Sequence, residues 1–341
     1  MPGTVRRPTA GRRRCDNRPV TAAATSVAST AASPLIVVAG EALVDLIVRP
    51  DGEIVSVAGG SPYNSVRAIA RLGVTASWVG GLSSDRFGRM LEDGLAGDGV
   101  ERELVQRTDL PTTLALAELG ADGSASYRFY TEATSAPNVL PGPLAGGIPP
   151  SARAFLTGSL GLVLEPMGST LETIACAVPR DRIVMLDPNA RPSITRDPVA
   201  WRARMARIMA RADIVKASTE DLDYLCPGET TDAAATWVKA HGPSVVLVTD
   251  GSRPVRVLVG DATELVPAPP VAVVDTVGAG DTFGGAFLAC LVHDWIGPDD
   301  LGDAAAVMRA VRFAVRASAF VCGRAGADPP TLAELGGWPA V

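Results

Sequence analysis

From Ala154 to Gly251, short apolar runs alternate with stretches whose apolar residues recur at helical spacing, and this rhythm limits the fold more than any other feature. AFLTGSLG (154–161), RIVMLDPN (182–189), DIVKAS (213–218) and SVVLVTDG (244–251) read as strands. Between and after them, STLETIACAVP (169–179), VAWRARMARIMARA (199–212), TEDLDYL (219–225) and TDAAATWVKAHG (231–242) read as helices. Such alternation favours a mostly parallel sheet with helices on both faces. The last three strands end in polar residues: Asp187 and Asn189, Lys216 and Ser218, Thr249 and Gly251. Strand ends of open α/β sheets are where ligands bind.

The N-terminal part adds a different element. PLIVVAGEALVDLIV (34–48) begins with an apolar run fit for a buried central strand and continues through Gly40-Glu41 to Asp45. LIVRPDGEIVSV (46–57) reads as two strands around Pro-Asp-Gly, and TTLALAELGADGSASYRFY (112–130) as two more around Ala-Asp-Gly. One isolated hairpin is marginal in water, so the two are expected to pair into a small sheet. Between them lies GGSPYNSVRAIARLG (59–73), where Gly59-Gly60 permits close backbone approach. A helix carrying Val66, Ile69, Ala70 and Leu72 then starts at Ser61-Pro62.

VVDTVGAGDTFGGAF (273–287) is the stretch expected to carry chemistry. Val271, Val273 and Val274 suggest a short strand, which breaks at Gly278-Ala279-Gly280. Phe283, Phe287 and Leu291 then lie four apart on one helical face. A glycine turn feeding a helix offers unpaired N–H donors and a positive dipole end, a site for phosphate. Asp281 at its mouth has two readings: a helix N-cap, or a general base for a substrate hydroxyl. A Walker A loop is excluded, because the only lysines, Lys216 and Lys239, each follow valine rather than glycine. A dinucleotide fingerprint fits poorly, since position 283 is phenylalanine.

Composition narrows the partners. The formal net charge of −6 gives no electrostatic reason to expect nucleic acid or an anionic membrane surface. Five scattered cysteines (15, 176, 226, 290 and 322) read as reduced cytoplasmic thiols, mostly core filler, and two histidines (His241 and His293) make a histidine-rich metal site unlikely on composition. Residues 1–33 are rich in Arg, Ala, Thr and Ser with Asp16 the sole acid, and are expected to be a disordered tail, a transit peptide being the alternative; the folded domain is expected over 34–341.

DTVGAGDTF (275–283) closely resembles the C-terminal signature of the ribokinase-like, or PfkB, family of sugar kinases, and GGSPYN (59–64) resembles its N-terminal signature. The resemblance runs from Pro34 to about Leu335. It implies an α/β fold, a ribokinase-like three-layer sandwich with a mostly parallel central sheet plus a small β-sheet lid, drawn here from 45–58 and 112–131. It also implies ATP-dependent phosphorylation of a small sugar. Asp281 would be the base, with the amides of Gly278, Ala279 and Gly280 holding developing charge. Asp45, Gly59, Gly60 and Asn64 would bind the sugar, and Asn189 and Arg191 of DPNARP would lie near the transferred phosphate. Nucleotide contacts would fall at Lys216, Ser218, Thr249, Gly251, Gly278, Gly280, Val315 and Ser318. Where the family commonly has Asn-x-x-Glu, this chain has Ser218-Thr219-Glu220-Asp221, so the carboxylate organising Mg²⁺ through water is Asp221 by register or its neighbour Glu220. Asp275, Val277, Arg324 and Gly326 would surround a monovalent cation such as K⁺. The motifs look most like the fructokinase-like branch. The runner-up sugar is 2-keto-3-deoxygluconate, its carboxylate paired with Arg128. A non-catalytic sugar sensor and a nucleotide-dependent oxidoreductase are the readings from other classes, and a homodimer formed through lid edges is the expected assembly.

Overall fold

Short β-branched runs form the central sheet because both of its faces are covered. β1 (Leu35–Ala39) is buried throughout, Ile36 and Val38 joining one core cluster and Leu35, Val37 and Ala39 the other. The computed structural model describes residues 3–4, 34–119, 125–144 and 147–340. β1 sits between β4 (Thr75–Val79) and β9 (Ala152–Gly158), parallel to both. β10 (Ile183–Asp187), β11 (Ile214–Ser218) and β12 (Val245–Thr249) follow outward in parallel. An antiparallel hairpin, β13 (Val255–Val259) and β14 (Ala262–Val266), completes eight strands in the order β14-β13-β12-β11-β10-β9-β1-β4.

Helices cover both faces. α1 (Ser61–Arg71), α2 (Arg86–Gly97), α7 (Ala279–His293) and α8 (Ala304–Cys322) contribute to the first cluster. α3 (Met167–Ala177), α4 (Pro198–Met209), α5 (Thr219–Leu225) and α6 (Thr231–Ala240) contribute to the second. The expected three layers are therefore present. The two predicted hairpins are β2 (Leu43–Val48) with β3 (Ile54–Gly59), and β7 (Leu114–Leu119) with β8 (Ala125–Tyr130). They join through a parallel β2–β7 pair into one sheet, β3-β2-β7-β8. A two-strand ladder, β5 (Gly81–Ser83) with β6 (Gln106–Thr108), continues from β4 through Gly80.

Three expectations need correction or comment. Residues 271–274 are not a strand: Val271, Val273 and Val274 are exposed, and the amides of Val274 and Asp275 donate to the Cys322 carbonyl at the end of α8. Valine content misled because this segment is anchored to α8 by those two amides rather than paired in a sheet. Of the described cysteines only Cys290 is core; Cys176 is exposed, and Cys226 and Cys322 are half-buried. The tail expectation for 1–33 lies outside the described residues, residues 3–4 apart. Among the described residues no helix is long and apolar enough to cross a membrane.

Candidate active site

The glycine turn does open a helix N-terminus. Gly278 adopts a left-handed conformation (φ 77°) and no side chain caps α7. A Cβ at Gly278 would stand 2.7 Å from Ala327 Cβ, so the turn needs glycine twice over. The Ala279 amide donates to the Thr276 carbonyl (3.2 Å), which removes it from the expected set of anion donors. The amides of Gly278, Gly280 and Asp281 have no partner among the described residues. Three free donors at the positive end of a helix form an anion site.

Asp281 is not the N-cap of α7, a position that Gly278 takes. It is the third residue of α7, largely buried, and its Oδ2 accepts from Asn64 Nδ2 at 2.8 Å. Ser65 Oγ donates to the Asp281 carbonyl (3.2 Å), and a Cβ at Gly285 would lie 2.8 Å from the Ser65 carbonyl oxygen. Gly285 thus lets α1 and α7 approach closely enough for Asn64 to reach the aspartate. Asn64 Oδ1 is buried and unpartnered, an acceptor left open.

Asp45, Gly59 and Gly60 meet at the other side of α1's N-terminus. A Cβ at Gly59 would fall 2.2 Å from Asp45 Oδ2, so the missing side chain is the room the carboxylate occupies. Gly60, at φ 110°, links β3 to α1 and accepts from the Asn64 amide (2.9 Å). Burial pushes the Asp45 carboxyl up to about 6, although the Arg191 guanidinium pulls it down. Arg191 Nη1 donates to Asn189 Oδ1 (2.5 Å) and to the carbonyls of Asn189 and Ala190. Asn189 itself takes a left-handed turn (φ 38°).

The strand ends supply a buried ion pair. Lys216 Nζ on β11 donates to Asp187 Oδ2 on β10 at 2.7 Å, and it would lie 3.1 Å from a Cβ at Gly280. Burial pushes Asp187 up to about 6 against the pull of Lys216, and leaves its Oδ1 without a partner. For Lys216 burial works downward, but Asp187, Asp221 and Asp281 outweigh it and raise the ammonium's pKa. Asp187 was legible only as a polar strand end; nothing in the spacing of the chain pairs it with Lys216.

Several expected residues sit elsewhere than expected. Asp221 is buried in a capping box with Ser218, its oxygens accepting from the amides of Ala190 (2.6 Å) and Ser218 (2.7 Å). Its carboxylate therefore holds the start of α5, and Glu220 is the exposed acid of the pair. Val315 is core on α8, while Ser318 Oγ donates to the Ala279 carbonyl (2.9 Å) and braces the anion turn. Thr249 is half-buried at the end of β12 and Gly251 is exposed beyond it. Asp275 does join its group: its oxygens accept from the amides of Val277 (3.0 Å) and Gly326 (2.8 Å), with Arg324 held by Asp328 and Glu334 close by. Arg128 does not join the sugar side. Asp45 pairs with Ala115 and Ala115 with Phe129, so these share a face of the lid, and Arg128 projects from the opposite one. The cation on which the acidic-sugar reading relied is thus turned away.

Comparison with known proteins agrees with this geometry. Residues 33–334 match the pfkB family carbohydrate kinases. A fructokinase of Rhizobium leguminosarum bv. trifolii is 35% identical over 265 residues, 76% of this chain and 80% of the relative. Fructokinase-1 of Oryza sativa subsp. japonica is 32% identical over 316 residues, 89% of this chain and 97% of the relative. Among solved structures, fructokinase with bound ATP from Xylella fastidiosa superposes with a TM-score of 0.79 at 29% identity, covering 88% of this chain and 96% of that one. Free amides at a glycine turn, a buried aspartate beside them and a roofing sheet are thus set in a ribokinase-like fold, and the chain belongs to the pfkB family of carbohydrate kinases and is a sugar kinase.

Proposed function

We propose that this enzyme transfers the γ-phosphoryl group of ATP to a primary hydroxyl of fructose. The observation that carries the reading is the Asp281 carboxylate, held by Asn64 at 2.8 Å beside the unpaired amides of α7. Phosphoryl transfer asks for positioning and charge stabilisation more than covalent chemistry. Asp281 accepts the hydroxyl proton as the bond to phosphorus forms, and the amides of Gly278, Gly280 and Asp281 steady the charge that gathers on the phosphoryl oxygens. Asp45 and the turn at Gly59 and Gly60 orient the sugar, with the lid sheet excluding water. Lys216, under Gly280, and the Arg191 guanidinium add positive charge on the phosphate side.

An anion turn of this kind suits a nucleotide triphosphate. Mg²⁺ would be held through water by the exposed Glu220 carboxylate and would offset the negative charge of the phosphates. The turn joining Asp275 to Gly326 suits a monovalent cation, K⁺ being the reading adopted here. Lid edges on β3 and β8 suit pairing with a second copy, and exposed Cys176 suits a reducing, cytoplasmic setting.

A panel of small sugars assayed for ADP release tests the proposal, with fructose expected to give the highest kcat/KM. Asp281→Asn is expected to lower kcat about 10²- to 10⁴-fold while leaving ATP binding intact. Near-normal turnover in that variant removes the base assignment.

A further inference from the structure

Where β1 ends, the strand order reverses: the chain goes next to β4 on one side and later to β9 on the other. Such a switch point opens a crevice at the carboxyl ends of the strands. Here three backbone segments close on one another with few side chains between them, the Pro62 ring and Glu41 among these. A Cβ at Gly40 would stand 2.3 Å from Pro62 Cγ, one at Gly60 would stand 2.6 Å from the Glu41 carbonyl, and one at Gly161 would stand 2.9 Å from Gly40 Cα. The charged group among them is Glu41, only 1% exposed. Its Oε1 accepts from the Ser61 amide at the start of α1 (3.2 Å), and its Oε2 accepts from the Gly161 amide (2.8 Å) in the turn that follows β9.

We infer that Glu41 is a positioning residue for the sugar site, its carboxylate clamping the Gly59–Ser61 turn to the Gly161 turn across the switch point. The inference rests on the sugar-kinase reading above. Burial pushes the carboxyl up to about 7, against the hydrogen bonds from the amides of Gly161 and Ser61. A buried carboxylate is costly without such bonds. The cost is matched to a function here, because Ser61 is the residue next to Gly60, and Gly59 in turn bounds the space that Asp45 occupies. Glutamine keeps the volume of Glu41 but has one acceptor oxygen, so one of the two amides then faces an N–H₂ group and the turn shifts.

The test is Glu41→Gln in the full chain. The fructose KM is expected to rise about tenfold, the scale of one lost charge-assisted hydrogen bond, with the ATP KM within about twofold and the thermal midpoint largely retained. Hydrogen exchange is expected to speed up at the amide of Ser61, a readout independent of turnover. An unchanged fructose KM, fructose and ATP KM rising together, or unchanged exchange at Ser61 overturns the inference. A wild-type chain that releases no ADP with any sugar refutes the kinase reading instead, and the wild-type control separates the two failures.

Discussion

Replacing Lys216 by methionine isolates the energetics of the buried pair under the anion turn. Lys216 and Asp187 are 4% and 6% exposed and 2.7 Å apart, so removing the ammonium leaves a carboxylate with neither water nor a cation. Breaking a buried pair from one side costs about 3–5 kcal/mol, because the remaining charge stays desolvated. The loss is predicted to depend on pH. Burial already raises Asp187 to about 6 against an ordinary value of 3.8, and deleting Lys216 removes the group that pulled it down. The folded variant then holds a proton that the unfolded chain has released, so its stability is highest at low pH and falls as pH rises through the raised pKa. Urea unfolding at pH 8 and pH 5 measures this directly, with the full deficit expected at pH 8 and a smaller one at pH 5. Asp187→Leu combined with Lys216→Met is expected to recover most of the stability, since a well-packed apolar pair avoids desolvation altogether. That double variant still lacks the cation under Gly280 and is expected to stay slow in phosphoryl transfer. A deficit below about 1 kcal/mol at pH 8, or one equal at both pH values, refutes the reasoning.

Three further outcomes follow from the sugar side. Gly59→Ala places a Cβ 2.2 Å from Asp45 Oδ2 at a residue whose φ is ordinary, so the effect is steric alone; the fructose KM should rise about tenfold or more while the ATP KM holds. Arg128→Ala should leave the fructose KM within about twofold, since the side chain projects from the lid face opposite Asp45, and a large rise in steady-state assays would contradict that placement. Because Asp45 is raised to about 6, its carboxylate form is lost as pH falls through that value; the fructose KM should therefore climb below pH 6, and Asp45→Asn should flatten that limb of the pH profile.

The layers of the sandwich were legible because fully buried strands and amphipathic helices leave distinct patterns, and β9 to β12 with α3 to α6 follow them. VRVLV and ATELV, which form β13 and β14, went unassigned, and so did β4 at Thr75–Val79. The valines at 271–274 point the other way: composition marks a strand, whereas two amides tie the segment to the end of α8, a long-range contact that no local pattern carries. At the site, local signals carried Gly278, Gly280, Asp281 and Gly59. What local signals do not carry is which oxygen is spent on the fold. Asp221 looked like a metal carboxylate and caps α5, and Ala279 looked like an anion donor and closes a turn on Thr276. Asp45 and Arg128 both belong to the lid, yet the pleat sends them to opposite faces, a distinction that depends on cross-strand register.

The outermost strand on one side of the roof, β3, runs through a single residue, Gly60, into the helix whose first turn grips Asp281. Roof and buried carboxylate are thus joined by one short stretch of chain. The path from the roof's edge to that carboxylate is five residues long, Gly60 to Asn64, with one hydrogen bond at its end.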